Sequence, residues 1–376
     1  MEMKKITILF ACSAIACMAI NSGCSKGVSE HVGEAINFSA ISSGSVATKT
    51  IYGEKLVGTK IPLNWVDGDV ITIGSPQSVV QDGANAGSHL SNYVIKESTE
   101  GVPSIARVNN EGTNGLVWTD EVETFDFYAV YPKNGDDITM LQDGSVTATI
   151  PALQPLVGVA TTKTVTSADA GAAAEITYNV YQPDMTKAFM TAVTKGVKHT
   201  DAKNAVSLEF NPAFTAFEFN VTTLDGSVDL TEFELLSPTG RNDKIAGTFT
   251  MTAGDLTSVT PGNVTGSIKV DMSNKPQAVT DTKGLTFTVF SLPIANKEPL
   301  RIRFTSREGE TGTKTSWVDL KYGEKATTGK PGEPVVFEAG HKYRINMLKL
   351  PSSQWKISIV PIFEEWVAGE EVVIYI

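Results

Sequence analysis

Apolar and polar residues alternate with a period of two in short segments along most of this chain, and Gly, Asn, Asp, Ser and Thr separate the segments. Examples of the alternation are residues 70–73 (VITI), 125–130 (FDFYAV), 216–221 (AFEFNV), 285–290 (LTFTVF) and 355–360 (WKISIV). Successive side chains of a strand point to opposite faces, so the alternation sends one set to a core and the other to water. It predicts antiparallel sheets, and the recurring turn signals favour β-sandwiches over a parallel α/β fold.

The length of the chain, 376 residues, exceeds what one core of typical size holds and predicts two domains. A polar stretch at 199–204 precedes a fresh run of strands, which places an N-terminal sandwich at 28–203 and a C-terminal sandwich at 204–350. Residues 351–376 follow as a terminal segment. Residues 184–194 (DMTKAFMTAVT) show near-helical apolar spacing, and the pattern leaves a short helix and an irregular strand both open.

The first residues have the layout of an export signal. Lys4 and Lys5 give a basic start, and residues 6–20 form a small and apolar run that is too short to span a bilayer as a permanent helix. A small residue directly before Cys24 resembles the lipobox of bacterial lipoproteins. By that resemblance residues 1–23 are a signal peptide and Cys24 is the acylated first residue of the mature chain. Ordinary signal cleavage nearby is the alternative.

The other two cysteines, Cys12 and Cys17, lie in the apolar run, so the mature chain is expected to lack a disulfide and to rest on a large core. Loss of the signal removes two lysines and one glutamate, so the 31 basic and 42 acidic residues become 29 and 41, a net charge of about −12. This acidity argues against nucleic acid as a partner, because phosphate backbones are bound by clustered Lys and Arg.

A search for catalytic or metal-binding patterns finds no such site in the sequence. The four histidines are scattered, and none has a metal-ligand spacing to another; they are His31, His89, His199 and His341. Neither a G-x-S-x-G nucleophile turn nor a phosphate-binding P-loop occurs. Asp67 and Asp69 flank a glycine but lack the further oxygen ligands of an EF-hand calcium loop. We therefore expect no catalytic residue, no metal and no cofactor.

Tryptophan residues offer an alternative to a purely structural role. An exposed aromatic platform would make the chain a lipid-anchored glycan-binding or adhesin module. The five candidates are Trp65, Trp118, Trp317, Trp355 and Trp366. They lie in or near alternating segments, where a core or inter-domain position is the more common one. A surface hydrolase is a further alternative.

Several segments together resemble the fimbrillins, the type V pilins and pilus-accessory lipoproteins of Bacteroidetes. In family order they are residues 36–40 (INFSA), 47–50 (ATKT), 63–73 (LNWVDGDVITI), 127–132 (FYAVYP), 206–210 (VSLEF), 216–221 (AFEFNV), 290–293 (FSLP) and 337–343 (FEAGHKY). Gly68 and Gly340 suit turns, and Pro132 and Pro293 end strands because proline lacks an amide donor. The resemblance implies two tandem transthyretin-like sandwiches and a habit of assembly, without a catalytic residue.

In that family an N-terminal strand fills a groove in the first sandwich until a protease cuts the loop behind it. A terminal strand of the next subunit then takes its place, and the resemblance implies the same β-strand addition here. Ile36, Phe38 and Ala40 present a small apolar face where the removable strand would lie. Lys49, followed by Thr50, is the expected cut site by its position, although the processing protease of the family is Arg-specific and a lysine is a departure from its pattern. Cleavage by a different protease and no cleavage at all are the alternatives.

The expected donor is the far end of the chain, residues 355–360 (WKISIV) and then 370–376 (EEVVIYI), where Val372, Ile374 and Ile376 share one face. The alternative is that this segment is simply the last strand of the C-terminal sandwich. The resemblance further implies a location at the outer membrane and cell surface, with other fimbrial subunits as polymer partners. It also implies contact with the membrane through lipid and leaves room for a host or bacterial surface ligand.

Overall fold

The computed structural model describes residues 33–42, 65–99, 102–107, 115–120, 122–167, 174–201, 205–224, 226–237, 243–272, 275–307, 312–322, 330–350, 354–361 and 374–375. The signal peptide predicted at 1–23 lies outside these residues. So do Cys24, Lys49, Thr50, Val372 and Ile376. Within the described part of the chain, none of the helical structure has the length and hydrophobicity that crossing a membrane would require.

Strands make up almost all of the regular structure in the described residues. They are β1 (Phe38–Ser42), β2 (Val70–Gly74), β3 (Val79–Val80), β4 (Leu90–Thr99), β5 (Val102–Arg107), β6 (Leu116–Val117), β7 (Phe125–Tyr131), β8 (Ile138–Met140), β9 (Ser145–Ile150), β10 (Val157–Ser167), β11 (Ala174–Gln182), β12 (Met190–Val197) and β13 (Val206–Pro212). The second half of the chain supplies β14 (Thr215–Thr223), β15 (Ser227–Leu236), β16 (Ala246–Thr252), β17 (Asp255–Thr265), β18 (Ser267–Asp271), β19 (Gln277–Thr280), β20 (Lys283–Ser291), β21 (Arg301–Arg307), β22 (Thr313–Asp319), β23 (Lys342–Lys349), β24 (Trp355–Pro361) and β25 (Ile374–Tyr375). The predicted all-β fold is confirmed.

The first core lies inside a seven-stranded sheet that closes on itself in the order β1-β13-β12-β7-β2-β4-β5. A four-stranded sheet, β17-β16-β9-β8, packs against it, and Phe249 and Met251 of β16 lie in the same core. A short ladder of β3 and β6 adds to the rim. Because a closed sheet has no free edge, every strand in it depends on its two neighbours.

The second core lies between two open sheets. One has seven strands in the order β10-β11-β20-β14-β23-β24-β25, and the other runs β18-β15-β21-β22 with β19 also paired to β15. Phe219 of β14 faces Phe233 of β15 with ring centroids 4.4 Å apart, and Phe233 meets Phe287 of β20 at 5.0 Å. The alternation of the strands supplies these inward aromatic rings, whose burial stabilises the pair of sheets.

The strands near the domain boundary expected at residues 203 and 204 do not divide between the two cores at that point. Strand β13, directly after that boundary, belongs to the closed sheet, and its Val206, Leu208 and Phe210 are buried in the first core. Strands β10 and β11, well before the boundary, lie in the seven-stranded sheet of the second core. Strands β12 and β13, on either side of the polar stretch, pair with each other in the closed sheet, and the division into two domains at this point stays a prediction.

Three strand pairs are parallel, which differs from the wholly antiparallel sheets expected from the alternation. They are β1 with β13, β11 with β20, and β14 with β23. The partners in each pair are far apart in sequence, so long connections let the second strand enter from the same end as the first. Residues 184–194 combine both alternatives: Met185–Lys187 form one 3₁₀ turn, capped by Asp184, and β12 follows.

Candidate assembly groove

Strand β1 fills the gap between β13 and β5 and so completes the closed sheet. It runs parallel to β13 in the register Phe38–Val206 to Ser42–Phe210. On its other side it is antiparallel to β5, with Ser39 opposite Ser104. The main-chain nitrogen of Val206 donates to the carbonyl of Asn37 at 2.8 Å, so the pairing extends one residue before the strand. Without β1, the two neighbouring strands would each gain a free edge.

The side chains of this strand alternate between core and solvent. Ile36, Phe38 and Ala40 are buried, with Phe38 only 4% exposed, whereas Ile41 on the other face is 39% exposed. The ring of Phe38 lies edge-on to Tyr93 and to Phe127, each at a centroid distance of 5.2 Å. The three residues of the predicted removable strand are thus buried together in the first core. Their removability stays a prediction.

The residues before β1 are hydrogen-bonded to β6 and to the residue that follows it. The main-chain nitrogen of Gly33 donates to Trp118 at 2.9 Å, that of Ile36 to Leu116 at 3.0 Å, and Trp118 returns a bond to Glu34 at 3.0 Å. The carboxylate of Glu34 also lies 3.2 Å from Nε2 of His199. The first strand is therefore held along its whole described length, and any replacement would need to compete with these contacts.

The described C-terminal strands lie in the other sheet system. Trp355 and Ile357 of β24 are buried in the second core, and the ring of Trp355 meets Phe304 of β21 at 4.7 Å. Strand β25 pairs with β24 in its own chain, with Ile374 opposite Ile357. The structure therefore does not bring the candidate donor segment and the first-strand pocket together within one molecule. Strand β24 is part of the core, while β25 is an outermost strand.

A buried charge cluster lies on the face of β14 and β23 that is opposite the second core. The sequence analysis did not predict it, because it belongs to no recognisable motif. Glu218 accepts bonds from Lys342 and Arg344, each at 2.6 Å. Burial would raise the pKa of Glu218, but the two cations outweigh it and lower that pKa to about 2. The polar positions of two alternating strands were visible in the sequence, yet only the parallel register of β14 and β23 sets them side by side.

The tryptophans divide into buried and exposed positions. Trp65, Trp118 and Trp355 are core residues, Trp317 is 53% exposed, and Trp366 lies outside the described residues. The guanidinium of Arg301 sits 4.1 Å from the centre of the Trp317 ring and is itself held by Asp319 through its Nε at 2.7 Å. Among the described residues, the five-tryptophan platform considered for glycans therefore reduces to one indole.

The remaining candidates have local roles. Nδ1 of His89 lies 2.7 Å from the carbonyl of Ser78, and that of His341 lies 2.8 Å from the carbonyl of Ala339. Asp69 accepts from the nitrogen of Val66 at 3.0 Å, which closes its own turn. His31 lies outside the described residues. Within the ranges that the structure describes, no three His, Cys, Asp or Glu side chains are grouped as metal ligands.

In class, this is an all-β protein with two cores whose first sheet is completed by its own N-terminal strand. The family model described as fimbrillin-like matches residues 63–354, most of the chain. The chain belongs to the fimbrillin-like family, as its strand and turn motifs predicted. No curated protein matches it significantly.

Three solved structures match between 79% and 90% of the chain at low identity. A candidate cell adhesion protein from Bacteroides uniformis is 16% identical, with a TM-score of 0.49, over 88% of this chain and 98% of its own. A fimbrial assembly protein from Parabacteroides distasonis is 12% identical, with a TM-score of 0.41, over 90% and 99%. The tip fimbrial protein Mfa3 from Porphyromonas gingivalis, with a C-terminal truncation, is 10% identical, with a TM-score of 0.34, over 79% and 95%.

Proposed function

We propose that this protein is a structural or accessory subunit of a cell-surface fimbria that assembles by β-strand exchange. The observation that carries the proposal is the position of β1, which closes the first sheet as a separate strand in parallel with β13. A strand that is paired on both sides yet joined to the fold by no hairpin is the element that another chain can replace. Membership of the fimbrillin-like family supports the same role.

The contacts of β1 set what an incoming strand must supply. Phe38 and Ile36 are fully buried, and burying a large apolar side chain contributes roughly 1.5–3 kcal/mol. Each main-chain hydrogen bond to the neighbouring strands contributes about 0.5–1.5 kcal/mol net. A donor strand from another molecule also loses entropy on association. If it made only the same contacts as β1, its binding would therefore not be favourable. Exchange therefore requires either a donor that fills the groove better than β1 or the severing of β1. We propose severing, and we assign the cut to the bond between Lys49 and Thr50.

The candidate donor is the end of the chain with Val372, Ile374 and Ile376 on one face. Export as a lipoprotein through Cys24 would hold the subunit at the outer membrane until the cut. A subunit that keeps its acylated N-terminus would stay at the membrane as an anchor, and one that loses it would enter the stalk. The lipid, the cut and the donor are three separable parts of the proposal.

The test changes the donor face and leaves the buried strand β24 in place. Deleting the chain from Trp355 onward would remove the buried strand β24 and confound assembly with unfolding. We would instead replace Val372, Ile374 and Ile376 together by Ser and measure polymer formation by electron microscopy and sedimentation. The matched control replaces Val373 and Tyr375, on the other face, by Ser.

The expected result is loss of polymer in the triple variant while its monomer stays folded by circular dichroism, and retention of polymer in the control. Equal polymer formation by the triple variant would refute the assigned donor. Binding of a glycan is the competing function, and it would persist in the triple variant because no residue of a preformed platform is altered.

A further inference from the structure

The open sheets end in edge strands, and most of those in the described residues are protected against pairing with another molecule. Strand β8 has three residues and β25 two. Residues 152–154 cover β18, where Gln154 donates to the carbonyl of Lys269 at 2.9 Å. Strand β17 carries Pro261 and register shifts, and β10 has a shift against β11. Short length, covering segments, proline and bulges are common protections of sheet edges.

Among the described residues, strand β22 has none of these protections along 313–319; the segment 333–335 pairs only with residues 320–322, which follow the strand. Its seven residues pair with β21 in an unbroken register from Arg301–Asp319 to Arg307–Thr313. It has no proline, it carries a single lysine, Lys314, and its residues 313–315 and 317 are exposed. Trp317 places an indole that is 53% exposed at the same edge. A flat exposed edge with an apolar anchor is a template for another strand.

The hydrogen bonding of β22 shows which of its groups face outward. Leu320, just after the strand, donates its main-chain nitrogen to Leu300 at 2.7 Å, so this pair is of the hydrogen-bonded type. Antiparallel pairs alternate between the bonded and non-bonded types. Counting back by one residue at a time, Thr313, Thr315 and Trp317 belong to non-bonded pairs. Their main-chain groups therefore point away from β21, toward the open edge.

We propose that β22 pairs with β22 of a second copy of this chain, antiparallel and about a twofold axis through Thr315. This register sets Thr313 opposite Trp317 of the other copy, twice, and the two Thr315 residues opposite each other. It forms about six main-chain hydrogen bonds and joins the two edge sheets into one continuous sheet. Each indole would lie over the threonines of the opposite strand, an aromatic and β-branched cross-strand combination.

The charges beside this edge favour a second copy over an ionic partner. Arg301 is paired with Asp319, Arg307 with Asp229 at 3.0 Å, and Arg303 with Glu234. Lys314 would face Ser316 of the other copy rather than its own counterpart. The remaining opposition is the long-range repulsion of two acidic chains, formal net charge −11 each, which salt screens. Pairing through main chain and indole should therefore tighten as salt rises, whereas an ion-pair interface would weaken.

The experiment is sedimentation equilibrium of the full chain in the background of the Val372, Ile374 and Ile376→Ser variant, at low and high salt. Head-to-tail exchange is disabled there, so dimers report on β22 alone. Thr315→Pro removes an outward amide without breaking the ladder to β21, and Thr315→Lys sets two like charges on the axis. Thr139→Lys, on the edge strand β8, is the matched charge control.

We expect a dimer that tightens with salt, a dissociation constant raised about tenfold or more by either Thr315 variant, and no change in the control. The thermal midpoint of the variant monomers should match that of the parent, which separates loss of pairing from unfolding. A chain that is monomeric at every concentration and salt would overturn the proposal. A dimer indifferent to both Thr315 variants would do the same, as would a monomer that binds polysaccharide through Trp317.

Discussion

Among the residues of β1, Phe38 contributes most to the packing of this strand in the first core. Its ring lies between Tyr93 and Phe127 and is almost wholly buried. Truncating a buried phenylalanine leaves a cavity and costs about 3–5 kcal/mol. We expect Phe38→Ala to lower the unfolding free energy of the uncut chain by that amount in urea titrations.

The control for Phe38 lies on the same strand. Ile41→Ala removes an exposed side chain and should change the unfolding free energy by less than about 1 kcal/mol. Equal effects of the two variants would show that the burial of β1 does not contribute to stability in solution. In a chain already cut behind β1 and polymerised, Phe38→Ala should have no effect at all, because the residue has left.

The stability of the folded protein depends on pH through Glu218, in a way that it would not through a carboxylate facing solvent. Its folded pKa is about 2, below the unfolded value near 4.5, so its contribution is present above about pH 4.5 and is lost as pH falls toward 2. The size of that contribution is about 3 kcal/mol. Glu218→Gln should be less stable than the parent by about this amount at pH 7, because Lys342 and Arg344 then lose the Glu218 carboxylate as an ion-pair partner.

The check is the urea unfolding midpoint of parent and Glu218→Gln at pH 7, 4 and 2.5. The difference between the two should narrow as pH falls through that window. Glu175→Gln, which alters an exposed glutamate of β11, serves as the control and should follow the parent at each pH. A constant gap between parent and Glu218→Gln would mean that the carboxylate is not held by the two cations.

At the scale of elements, β1 and its partner β13 should respond together to cleavage behind β1. Once the loop is cut and β1 leaves, the main-chain groups of β13 that paired with Asn37 and its neighbours are exposed. We expect amide hydrogen exchange in β13 to rise, while β7 and β12, paired on their other sides, change little. If the amides of β13 stayed equally protected against hydrogen exchange after the cut, β1 would not be the strand that covers them in solution.

The sequence predicted the elements far better than their pairing. Period-two alternation located the strands, and the motif at 36–40 identified an apolar first strand, because side-chain direction in a strand is a local property. It did not reveal that β13 belongs with the first core or that β1, β11 and β14 have parallel partners. Pairing across long connections is decided by packing between distant segments, and the alternation is the same for either partner.

The same limit applies to the candidate sites. The apolar face of Ile36, Phe38 and Ala40 could be read from the sequence. The joining of Glu218 to Lys342 and Arg344 across 124 and 126 positions could not. The exposure of Trp317 was equally hidden, since an indole in an alternating strand has the same pattern whether its face meets a core or water.

At the scale of the whole molecule, Gln154 links the two cores. Its side-chain amide donates to the carbonyl of Phe290 at 2.7 Å and accepts from the nitrogen of the same residue at 2.8 Å. Phe290 packs in the first core although its strand β20 belongs to the sheet of the second. Gln154→Ala would leave both main-chain groups of Phe290 without this partner, at a cost of about 1–3 kcal/mol.

We expect the two cores of Gln154→Ala to unfold separately, because the link between them is weakened. Calorimetry should then show two transitions for the variant and one for the parent. Gln142→Ala, an exposed residue of a turn, is the matched control and should leave a single transition. A single unshifted transition in Gln154→Ala would show that this link carries no coupling between the cores.

In the proposed assembly, a neighbouring subunit enters the groove that β1 occupies. The decisive experiment is intact mass measurement of subunits taken from assembled filaments. Strand exchange predicts chains that begin at Thr50 and lack Ile36, Phe38 and Ala40. Filaments built from chains that still carry residues 34–60 in one piece would contradict it, because the groove would then be full.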